Sequence, residues 1–96
     1  MSDPKQIPLK IRFLIGKEPE REMAIWAEDM EEAKDFIHLS LRWAVKELQE
    51  PEGVADIFNI ETKRKVGRMA VLFDESGPMV HEQWTWVSGE EKNPLH

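Results

Sequence analysis

The side chains of this sequence with acid–base or metal chemistry within reach are His38, His81, Glu82, Asp56 and Asp74. Sharing a proton or holding a cation requires several such groups to converge on one point. On a helix that means ligands about four positions apart, and on a strand it means residues two apart. His38 meets Lys34 and Arg42 at the four-residue spacing, and neither completes a ligand pair. His81 and Glu82 are adjacent, so a strand would send them to opposite faces. His96 is the last residue. The sequence contains no nucleophile elbow, phosphate loop, dinucleotide fingerprint or zinc-hydrolase motif, and with no cysteine it has no thiol chemistry, disulfide or iron–sulfur ligand. Glu31, Glu32, Asp35, Glu47 and Glu50 are the ordinary charges of a solvated helix. The expectation is therefore a protein without catalytic, cofactor-binding or metal-binding residues. An enzyme or ligand-binding reading would need a site at a subunit interface, because a ligand-sized pocket is hard to build within a chain this short.

Recognition chemistry is better represented. Four tryptophans are many for 96 residues. Trp84 and Trp86 are two apart and so share one strand face, where paired rings can anchor an interface, stack on bases or simply cover a core. Phe36, Leu39 and Trp43 lie to one side of a helical apolar stripe and widen it beyond what packing on a sheet requires. These five residues are the candidate protein-contact surface, and the expected partner is a second copy of the chain or another subunit of a complex. The sole basic cluster is Lys63, Arg64 and Lys65 with Arg68 three positions on. A basic hairpin can enter a nucleic-acid groove, but Glu61 adjoins it and no aromatic ribonucleoprotein signature accompanies it. A net charge of −6 opposes general attraction to nucleic acid or anionic lipid. Nucleic acid is the alternative partner, and a membrane is not expected.

The elements that must position these residues are legible. Ile7, Leu9, Ile11, Phe13 and Ile15 alternate with Pro8, Lys10, Arg12 and Leu14, the period-two pattern of a strand with one buried face. Gly16 to Glu20 carries turn chemistry, and Glu22 to Ala27 resumes as a second strand, completing a hairpin. Asp29 suits a helix N-cap, with Glu32 placed to reach back in a capping box and Glu31 and Glu32 at the positive end of the dipole. Met30, Ala33, Ile37, Leu41, Ala44 and Leu48 form one stripe, opposite a wet face of Glu31, Asp35, His38, Arg42 and Gln49. The helix ends near Glu50, before Pro51 and Gly53. Val54 to Ile60, Val66 to Phe73 and Met79 to Val87 read as three further strands, the last with Val80, Glu82, Trp84 and Trp86 on one face and His81, Gln83 and Thr85 on the other.

The length allows one hydrophobic core. The expected fold is a single α+β domain over residues 1–87, in the order β-β-α-β-β-β. A curved antiparallel sheet carries the amphipathic helix across one face, and residues 88–96 form a loose tail. With 41% hydrophobic and 33% charged residues, and no apolar leader at its start, the chain reads as a soluble, acidic, cytoplasmic protein. One helix is narrower than five strands, so sheet surface is left over, and that surplus points to association.

Overall fold

A computed structural model of the protein describes residues 6–85. Strands β1 (Ile7–Ile15) and β2 (Arg21–Ala27) form the first hairpin, followed by helix α1 (Met30–Glu47) and strands β3 (Glu52–Asn59), β4 (Lys65–Asp74) and β5 (Gly77–Trp84). The five strands make one open sheet in the order β2-β1-β3-β4-β5, antiparallel at every pairing. Because β2 and β3 both pair with β1, they run the same way, and α1 is the crossover that carries the chain over β1 between them. The single-domain α+β arrangement expected from the residue pattern is the one observed. Trp86 and the expected tail, 88–96, lie outside the described residues.

The odd positions of β1 face α1, and all five are buried. Across the sheet the same face continues through Ala55 and Ile57 of β3 and Met69 and Val71 of β4, all buried. From the helix, Met30, Ala33, Ile37, Leu41 and Val45 descend onto them. The stripe differs from the expected one at its end: Val45 is fully buried, whereas Ala44 and Leu48 pack at the core margin. A 3.6-residue period carries the contact line from Leu41 to Val45 rather than Ala44, so the helix meets the sheet slightly rotated from the predicted stripe. The same rotation overturns the placement of His38 on the wet face. It is half-buried, and its Nε2 is buried with no hydrogen-bond partner among the described residues.

Local chemistry fixes the boundaries. The Asp29 carboxylate accepts the Glu32 N–H at 2.8 Å, and the Glu32 carboxylate accepts the Glu28 N–H at 2.7 Å, a box reaching one residue further back than its usual form. Between β3 and β4, buried Asn59 accepts the N–H groups of Glu61 at 2.8 Å and Thr62 at 3.0 Å, holding a tight Asx turn. Between β4 and β5, the Ser76 hydroxyl and N–H both donate to Asp74, at 2.7 and 2.8 Å, and hold its carboxyl below the usual carboxylate range. The β3–β4 register shifts by one residue at Ile57/Phe58, where the extra residue, Val66, is fully buried.

Candidate interaction site

The helix covers β1 and β3 and leaves a flank on either side, and the sequence finishes the two differently. Toward β5, Trp84 pairs with Gly67 in register, and its ring lies where a Gly67 side chain would be: a Cβ there would overlap the indole. The Lys34 ammonium sits 4.9 Å above the same ring, and the indole N–H donates to Glu82 at 2.7 Å. Trp84 is thus held between backbone, cation and carboxylate, and it packs against the core.

Toward β2 the flank is open. Leu39 is 66% and Trp43 67% exposed, with Phe36 at 41% beside them. Below them on the sheet, Met23 is 39% exposed, and Arg21 shares its face. These residues, with Phe13, Leu48 and Phe73, line a groove of about 1110 Å³. Its walls are mainly apolar, while Arg21, Glu22, Arg42 and Lys46 form a charged rim. The structure brings Phe36, Leu39 and Trp43 together and places Trp84 on the other flank of α1, so the tryptophan of β5 does not join this patch.

The groove adjoins a sheet edge. In an antiparallel strand the N–H and C=O of one residue point the same way. Pro8 O accepts the Ile60 N–H, and Gly16 N donates to Glu52 O, so even residues of β1 bond toward β3 and odd ones toward β2. The odd residues of β2 therefore bond to β1, and Glu22, Ala24 and Trp26 turn their backbone groups outward. From Met23 to Ala27 this edge has no charge, proline or bulge, the devices that usually blunt a free strand. The other edge, β5, carries Pro78, His81 and Glu82.

Among the described residues nothing covers the sheet face away from α1, which holds Lys65 and Arg68 of the sequence-predicted cations. Lys65 lies 2.9 Å and Arg68 3.6 Å from the buried Asp56 carboxylate. Arg12 pairs with Glu20 at 3.1 Å and Glu22 at 3.5 Å. Lys10 and Arg12 stand 5.7 and 5.3 Å from the Phe58 ring. Lys63 lines a small hollow of about 340 Å³ with Lys10, Phe58, Asn59 and Ile60, and Arg64 is exposed in the adjoining turn. Lys10, Arg12 and Phe58 were not singled out from sequence, because the β1–β3 pairing that joins them spans the whole helix. Asp56 and Phe58, two apart on β3, share one face, as strand parity requires. His81 also lies on this face and Glu82 on the other, as adjacent strand residues must. Among the described residues, no three His, Asp or Glu side chains gather as a cation site. Nor is any helix among them long and apolar enough to cross a membrane.

Comparison with models of known protein families, with curated proteins and with solved structures returns no match to this chain.

Proposed function

We propose that this protein is a non-enzymatic interaction module that associates with itself through the groove between α1 and β2. The observation that carries this reading is the pair Leu39 and Trp43, each two-thirds exposed beside Phe36 and Met23, on the helix flank that the described residues leave open. Large rigid aromatics at the centre of an apolar patch with a charged rim are the usual anchors of protein contacts. Sedimentation velocity on the wild type and on Trp43→Glu tests it. The expected result is a dimer for the wild type and, for the variant, a folded protein whose association is clearly weakened. Equal association of the two proteins would remove the groove from the contact.

A second reading, single-stranded nucleic acid laid across the uncovered sheet face, is favoured by Lys10, Arg12, Lys65 and Arg68 around Phe58. Asp56, Glu20 and Glu22 neutralise three of these four cations, which places it behind the first. It requires affinity for a labelled oligonucleotide that falls with salt, and no shift at low salt would end it.

A further inference from the structure

We propose that the second copy joins by strand pairing: β2 of one subunit lies antiparallel to β2 of its partner, with Ala24 opposite Ala24 of the partner subunit. This rests on the self-association proposed above and specifies its geometry. Among the described residues, the outward backbone groups of Glu22, Ala24 and Trp26 form a row of donors and acceptors along the edge that no other strand pairs. A row of this kind is satisfied by another strand of the same length. Centring on Ala24, the middle of Arg21–Ala27, leaves every residue of the strand opposite one of the partner strand. Glu22 then faces Trp26 of the partner subunit, Met23 faces the partner's Ile25, and the two-fold axis repeats each contact. Six N–H···O bonds close the seam, two for each hydrogen-bonded pair.

The neighbouring registers are poorer. Centring on Met23 carries Trp26 and Ala27 past the start of the partner strand, opposite the partner's Glu20 and the partner's Pro19, and centring on Ile25 sets Glu22 against Glu28 of the partner subunit, a like-charge pair. A shift by a single residue would turn one strand's faces over, which the buried side of the sheet forbids.

The chosen register also accounts for the open groove. A two-fold axis perpendicular to the sheet keeps both helices on the same side. The Phe36, Leu39 and Trp43 flanks then face one another across the seam, above a floor of Met23 and Ile25 from each subunit. The two open sheets become one continuous sheet, and the apolar surplus of each subunit is turned toward that of the other.

Because the chain has no cysteine, single thiols can report this register without interference. Ala24 is exposed on the uncovered face, so Ala24→Cys leaves packing intact. Cα atoms of opposed residues stand about 5.5 Å apart in a hydrogen-bonded pair, within disulfide range. Mild oxidation of Ala24→Cys, read on a non-reducing gel, is expected to give covalent dimer, and Met23→Cys alone is expected to give none. In the double variant Glu22→Cys/Trp26→Cys the two thiols of one chain are about 13 Å apart and cannot bond to each other. They are expected to cross-link between chains, which provides an independent check. Absence of covalent dimer from Ala24→Cys and from the double variant, in samples that light scattering shows to be dimeric, overturns the register while self-association stands. Covalent dimer from Met23→Cys instead overturns it in favour of the Met23-centred pairing. Samples that remain monomeric and uncross-linked overturn both proposals.

Discussion

The two flanks of α1 begin from similar materials and end differently. Each offers a tryptophan beside a sheet edge. On the β5 side, Gly67 removes the side chain that would hold Trp84 off the sheet, and Lys34 and Glu82 occupy the ring's face and its N–H. On the β2 side, Trp43 projects from the helix with Leu39 and Phe36, and the strand below offers Met23. An exposed tryptophan is therefore not simply the consequence of having one helix for five strands. Among the described residues, the fold closes one flank with specific contacts and leaves the other open next to an edge strand that carries no charge, proline or bulge from Met23 to Ala27.

The contrast can be broken most strongly on the open flank. Trp43→Glu should weaken association by about 30-fold or more, the effect of losing a contact anchor worth about 2 kcal/mol. Leu39→Glu in addition should leave only monomer by sedimentation, with far-ultraviolet circular dichroism unchanged because both side chains are largely exposed. On the closed flank the effects should move from association to stability. Trp84→Ala, which removes a ring half-buried against the core, should cost about 2 kcal/mol in urea unfolding without altering the dimer midpoint. Gly67→Ala, which pushes a methyl into the same ring, should cost about 1–3 kcal/mol. Lys34→Met, which keeps the stem but removes the cation above Trp84, should change stability by about 0.5 kcal/mol. A loss of association in the Trp84 or Gly67 variants that matched the loss in Trp43→Glu would erase the distinction between the flanks.

Much of the fold was legible because it rests on local, periodic signals. The alternation of β1, the Asp29 cap and the face assignment of β5 all follow from residues within a few positions of one another. The helix stripe was nearly right, and its error at Ala44, Val45 and His38 came from rotation against the sheet, which only packing decides. Of the candidate site, Phe36, Leu39 and Trp43 were visible as apolar residues outside the main stripe. Trp84 was visible as a surface-or-core ambiguity, and its resolution depended on Gly67, a residue whose role appears only when β4 and β5 are set in register. The exposed edge could not be read at all. Whether β2 is an outer or an inner strand depends on the crossover of α1, which returns the chain to the far side of β1. The sequence places the cation cluster at Lys63, Arg64, Lys65 and Arg68, yet Asp56, from the preceding strand, binds two of these and determines how much charge they can offer a ligand.

The open flank is proposed to receive a second copy of the chain. Size-exclusion chromatography with light scattering at about 10 and about 500 μM, a range wide enough for mass action to reveal weak pairing, tests it most directly. Self-association predicts a mass that rises with concentration toward twice the 11.2 kDa of the chain. A mass that stays at 11.2 kDa at both concentrations would contradict it.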